Sequence, residues 1–227
     1  MNDELRFSRF SNEAFEFLKD IKHNNNREWF SDNKQVYKIE LESPAKQLLE
    51  KLKSSLILMT DVEMQGKIFR FHRDIRFSKD KSPYKNHVRI LCYPEGRIRN
   101  DKGDIAIFYF SIEAEKVVIG IGNMFFDKPT LEKFRNALVD NEQSEDFLDI
   151  MQTLFDKGFT INDPALKRVP TGFDKNHPNA EWLKRKGMAV WYEMDVKKLQ
   201  GPGSVGNLID ICLECQAFYD WMMKLGR

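Results

Sequence analysis

Along the first sixty residues the apolar positions recur every three or four places, the period of helices with one buried face. Ser11 stands where an N-cap belongs, Phe10 and Phe15 are spaced for a hydrophobic staple, and Phe15, Leu18 and Ile21 continue the stripe. The polar run "HNNN" ends that helix. Asn25 offers a second cap, with Glu28 three residues on for a capping box, and Trp29, Phe30, Val36, Tyr37 and Leu41 carry the apolar face onward. Ser43 and Pro44 restart the pattern, because proline is tolerated in a first turn after a serine cap. Leu48, Leu49 and Leu52 then predict a third helix over 44–58.

The period changes after that. Phe69, Phe71, Ile75 and Phe77 alternate with Arg70, His72, Asp74 and Arg76, which predicts a half-buried strand with the apolar set inward. Arg73 falls on the apolar face, so it needs a carboxylate partner or a bulge that turns it outward. Apolar runs predict further strands over 86–93, 104–113 and 117–123, with "EAEK" as a hairpin turn between the last two. Helical spacing returns over 130–141, 144–157 and 178–186, "MAVWYEM" reads as one more strand, and 205–224 as a closing helix. The linker-like "QGPGSVG" is too short to divide domains. The expectation is therefore one α+β domain over 1–227, an antiparallel sheet with packed helices. It comprises a helical segment 1–60, a sheet-forming segment 67–123 and a mixed helical part 130–227.

Composition narrows the class. The chain has 227 residues, 41% of them apolar, enough to bury a core. No run of eighteen apolar residues occurs, and "MNDELRFSRF" lacks the apolar stretch of a signal peptide, so no membrane association and a cytoplasmic location are expected. Cys92, Cys212 and Cys215 are too sparse for a disulfide framework. Cys212 and Cys215 sit in an apolar helical pattern and read as core residues.

Charge changes the picture more. The net charge is only +1, yet residues 67–99 hold ten basic against three acidic residues, whereas 100–166 hold six against thirteen. Local potential, not the total, is the clue to a partner. Three arginines in one strand, Arg70, Arg73 and Arg76, offer planar forks suited to phosphate or carboxylate, and Asp74 alone cannot neutralise them. The turn that follows adds Lys81, Lys85 and Tyr84, with Ser78 and Ser82 as hydroxyl donors, but lacks the glycines of a phosphate-cradling loop. His72 beside Asp74, together with Tyr84, supplies candidate acid and base groups.

At these residues the chain resembles domain-of-unknown-function family 2461, a group of bacterial proteins. "RFHRDIRFSKDKSPY" fits its Arg-x-x-Arg-Asp-x-Arg-Phe-x-x-Asp-Lys-x-x-Tyr signature through Arg70, Arg73, Asp74, Arg76, Phe77, Asp80, Lys81 and Tyr84. The likeness extends to "NNNREWF" and "GFDKNHP". It implies one shared domain with a special site at the motif and brings no established catalytic role.

A second basic stretch, "LKRVPTGFDKNHPNAEWLKRK", contributes Arg168 and His177 on a turn ahead of a helix whose first amides could meet an anion. His72, Asp74, His87 and His177 match no metal-ligand spacing, so no metal and no cofactor are expected. Three function classes follow from the sequence. The favoured one is binding of an anionic, phosphate-bearing small molecule or nucleic acid at the arginine strand and basic loops. The alternatives are an enzyme acting on a small anionic substrate with Asp74, His72 or Tyr84 moving protons, and an internal ion-pair network in a protein-interaction domain.

Overall fold

Ser11 does cap the first helix: its hydroxyl accepts a hydrogen bond from the Ala14 amide at 3.1 Å, and the Phe10 and Phe15 rings close the staple 6.0 Å apart. The structure, a computed structural model, describes residues 9–76, 79–95, 106–201 and 203–226. Helix α1 (Asn12–His23) buries Ala14, Phe15, Phe17, Leu18 and Ile21. Helix α2 (Arg27–Asp32) is capped by Asn26, not Asn25, through a 2.9 Å bond from the Trp29 amide. That one-place correction releases Asn25 for another task. After the short α3 (Lys34–Val36) the chain widens into a π-helix over Tyr37–Glu42, and α4 (Ser43–Thr60) follows without a serine cap. Pro44 has no N–H to bond back to the preceding turn, and the Ser43 amide reaches Lys38 O in the wider π pattern. Asp61, in the left-handed conformation, stops α4.

Six strands form one antiparallel sheet in the order β1-β2-β3-β4-β6-β5. They are β1 (Met64–Ile68), β2 (Val88–Pro94), β3 (Ile107–Ile112), β4 (Lys116–Asn123), β5 (Thr160–Ile161) and β6 (Met188–Asp195). Helices α5 (Lys128–Val139), α6 (Asn141–Asp156), α7 (Ala180–Leu183), α8 (Ser204–Glu214) and α9 (Gln216–Leu225) complete the α+β fold. None of the described helices is long and apolar enough to cross a membrane. The first strand thus ends where the sequence pattern has it begin. Only Phe71 of the expected inward set is buried; Phe69 and Ile75 keep 37% and 38% of their surface, and Phe77, like Ser78 and 104–105, lies outside the described residues. Alternation overstates the strand here because the chain turns back on itself before a second ladder can satisfy it.

The chain gathers into two compact units. The first joins Met1–Cys92, Tyr109–Ile119 and Glu193–Ile211; α4 lies against β1, and Leu18, Ile21, Leu48, Leu52, Phe110 and Ile112 are buried within it. The second joins Tyr93–Phe108, Gly120–Tyr192 and Cys212–Arg227. There α5, α6 and α9 pack around Phe134, Phe147, Phe218 and Trp221, with the Phe147 and Trp221 rings 4.7 Å apart. All three cysteines are buried and reduced, and burial pushes the Cys92 thiol up to about 12.

Candidate anion-binding site

After β1 the chain runs on as a looser hairpin within the first unit. The Phe69 amide donates to Arg89 O at 2.9 Å, the Lys85 amide to Phe71 O at 2.9 Å, and the Arg73 amide to Pro83 O at 2.8 Å, with His72 opposite Tyr84. Three residues stand between Lys85 and Arg89 against one between Phe69 and Phe71. The two surplus residues make a bulge, and His87 lies in it.

The hairpin stands on rings. Tyr84 is buried and stacks on Phe30 with centroids 4.0 Å apart, while Phe71 packs on Tyr37 at 4.7 Å. Asn25, relieved of capping, clamps this point: its side-chain amide donates to Tyr84 O and accepts from Tyr84 N, both at 3.0 Å. A primary amide matches a peptide group in both senses, so the backbone on either side of Tyr84 is held in one place. The sequence missed this role because a capping aspartyl-type residue and a backbone clamp look identical in one dimension.

Beyond Tyr84 lies the tip of the hairpin, where charges are matched. Arg76 meets Asp74 through two bonds, Nε to Oδ1 at 3.0 Å and Nη2 to Oδ2 at 2.7 Å, and this fork holds the Asp74 carboxyl down at about 2. Arg73 reaches Asp80 at 2.9 Å, and Asp80 also accepts from the Ser82 amide. Lys81 donates to Ile75 O at 2.9 Å. Arg70 and His72 are exposed, and His72 rests edge-on against Tyr84. A carboxylate held at about 2 by an arginine is a poor proton acceptor at neutral pH, and Tyr84 is buried against the Phe30 ring.

At the base of the hairpin the balance reverses. Lys85, His87 and Arg89 gather beside Arg73, and no carboxylate pairs with Lys85 or Arg89 among the described residues. Lys85 lies 5.7 Å from the Phe69 ring, which Lys67 also approaches, and Arg89 lies 5.9 Å from the Tyr109 ring. Ring faces are weak substitutes for anions. Burial, reinforced by Arg89, Lys85 and Arg73, drives the His87 pKa down to about 4, and burial with Arg89 and Arg73 lowers that of Lys85. Three nitrogens here are buried with no hydrogen-bond partner: Arg73 Nε, Arg89 Nε and His87 Nε2. Buried polar atoms without a partner are rare, and water or a bound ion commonly supplies one. His87 Nδ1 faces Asn86 Oδ1 at 3.2 Å, which makes Nε2 the bare nitrogen of a neutral ring.

Of the residues expected at a site, then, Arg73 and Lys85 come together; Arg76 and Lys81 lie out on the exposed tip, and Arg70, between Phe69 and Phe71 at the base, faces solvent. Arg168 and His177 belong to the second unit. There His177 Nδ1 accepts from the Asn179 amide at 3.0 Å and Asp174 accepts from the Asn176 amide at 2.9 Å. The amides expected to meet an anion are thus spent within the loop, and α7 is only four residues long. His87 and Arg89 were not singled out for anion binding in the sequence. Their signal was the spacing Lys85-x-His87-x-Arg89, a period of two that continues from the motif. Among the described residues no group of three or more His, Cys, Asp or Glu side chains is placed to hold a metal ion.

Compared with known families, residues 13–221 match the model described as "Conserved hypothetical protein (DUF2461)". Among curated proteins, none matches the chain.

Proposed function

The chain belongs to DUF2461, a family described as conserved hypothetical proteins, and for it we propose binding of a phosphate-bearing anion at Arg73, Lys85, His87 and Arg89. The observation that carries this reading is the set of three buried nitrogens without protein partners, on residues that, with Lys85, lie near enough to act on the His87 charge. Phosphate suits them better than a carboxylate does. It presents three or more acceptor oxygens, enough for two guanidinium edges and an ammonium at once, and its second negative charge offsets more of the repulsion. It also reverses the electrostatics at His87. With an anion in place the ring gains a favourable partner for its charged form, so binding takes up a proton at Nε2 and turns a bare lone pair into a donor.

That linkage supplies the test. Inorganic phosphate, a nucleoside monophosphate, a sugar phosphate and a short single-stranded oligonucleotide are titrated into the full chain at low and high salt. The melting temperature is followed, and the His87 ring proton by NMR. Phosphate-bearing ligands are expected to raise the melting temperature and move the His87 pKa upward from about 4, and both effects disappear in Arg89→Gln. Dependence on a single phosphate group assigns a small-molecule site, whereas stabilisation by the oligonucleotide alone, weakening steeply with salt, assigns a nucleic-acid surface. Should none of these ligands alter either reading, the proposal fails.

A further inference from the structure

The second unit holds another buried guanidinium that the motif does not include. Arg185 keeps only 9% of its surface, although it follows Lys184 and precedes Lys186 in what looks like a run of solvated charge. Its Nη1 donates to Asn162 O at 2.5 Å, and the guanidinium lies 5.1 Å from the Trp182 ring centre. Asn162 is itself fixed, since its Oδ1 accepts from Trp191 Nε1 at 2.5 Å. Arg185 Nε is buried and has no partner, and no carboxylate lies within ion-pair distance of the side chain among the described residues. One edge of the fork is therefore anchored, and the other, formed by Nε and Nη2, is unused.

Arg185 lines a small cavity of about 70 Å³ with Met124, Phe125, Asn162, Asp163 and Gly187. Its walls are backbone as much as side chain. The Phe126 amide bonds Lys186 O at 2.8 Å and the Leu166 amide bonds Lys184 O at 3.0 Å, which ties both flanking segments to the arginine's own strand of chain. Gly187 presses so closely on the Met124 backbone that a Cβ there would stand 2.2 Å from its carbonyl carbon. At the rim Phe125 leaves 64% of its surface in solvent, and Met124 is exposed beside it.

We infer that this cavity is a second binding site, specific for a monocarboxylate bearing an apolar or aromatic substituent, with the carboxylate on the Nε–Nη2 edge of Arg185 and the substituent over Phe125 and Met124. A planar carboxylate matches a guanidinium edge bidentately, oxygen for nitrogen. The cavity's size admits a headgroup of that kind and leaves the rest of the ligand on the apolar rim. Burial lowers the Arg185 pKa and Asp163 in the wall offsets part of that; with Lys186 also lining the cavity, the Asp163 charge opposes a doubly charged phosphate more than a singly charged carboxylate. The site is independent of the phosphate cluster in the first unit and stands or falls without it.

The test is calorimetric titration of the full chain with phenylacetate, acetate and inorganic phosphate. Phenylacetate is expected to bind saturably in the millimolar range or tighter, and acetate more weakly. Arg185→Lys retains the charge but not the fork and should lose about tenfold or more in phenylacetate affinity. Two exposed changes guard against a folding defect: Phe125→Ser should bring phenylacetate down toward acetate, and Asp163→Asn should tighten both. Arg89→Gln should alter none of these values. The inference is overturned if phenylacetate shows no saturable binding, if Arg185→Lys and Phe125→Ser bind it as wild type does, or if the Arg185-dependent affinity is greater for phosphate.

Discussion

The tip and the base of one hairpin carry similar positive charge and treat it in opposite ways. At the tip, Arg76 is bound at both ends of its fork by Asp74, and Asp80 reaches Arg73, the member of the basal cluster that has a carboxylate partner. At the base, Lys85 and Arg89 have rings where the tip has carboxylates, and His87 is pressed toward its neutral form by burial and then by its cationic neighbours. Both regions would score alike in a count of arginines and lysines. The difference is solvent. Exposed charges can be paired or left in water at little cost, so the tip's ion pairs say little about purpose. Half-buried charges without a protein carboxylate are more costly to keep, and it is on that difference that the proposed anion site rests.

The contrast breaks first if its common support is removed. Tyr84→Ala takes away the ring stacked on Phe30 and is expected to destabilise the protein by about 3 kcal/mol, read from denaturant unfolding; a much smaller loss would mean that tip and base do not rest on a shared aromatic layer. Acidification sharpens the contrast at the base. Because the folded pKa of His87 lies near 4, below its ordinary value, the folded state holds fewer protons than the unfolded one between pH 6.5 and 4. Stability contributed by neutral His87 is therefore whole above pH 6.5 and is lost as the pH falls toward 4. Melting temperatures of wild type should fall through that window more steeply than those of His87→Gln, and added phosphate should flatten the fall. The smallest effect belongs to the tip. Arg76→Ala is expected to leave both the melting temperature at neutral pH and any phosphate-induced stabilisation unchanged, and loss of the phosphate response in that variant would move the site outward to the motif arginines.

Much of the helical half was legible because its signals are local. Ser11, the Phe10 and Phe15 staple, and the leucines of α4 each act within one or two turns of chain, and the sheet's later strands announced themselves as apolar runs. What misled was the run from Phe69 to Phe77. Its period of two is a sound strand signal, but whether alternate residues are buried depends on a partner strand, and the chain supplies only the short segment 83–85 before the bulge that holds His87. The motif drew attention to Arg70, Arg73 and Arg76 by density, while the unmatched charges at His87 and Arg89 came from pairing that no one-dimensional count contains. Arg185 was hidden for the same reason: between two lysines it reads as solvent-facing, and only the approach of Gly187 to Met124 and of Asn162 to the guanidinium encloses it.

The clamp between Asn25 and Tyr84 spans 59 positions of sequence. Closing a loop of that length costs entropy that the packing of the elements between the two residues helps to repay, so the contact is tied to the order of the first unit. The Tyr84 amide is therefore a clock for the maturity of the whole hairpin. Its exchange with solvent deuterium should be slow in the intact protein and governed by opening of the first unit as a body, and Asn25→Ala should convert it to the fast regime of a surface loop while the amides of α1 keep their protection.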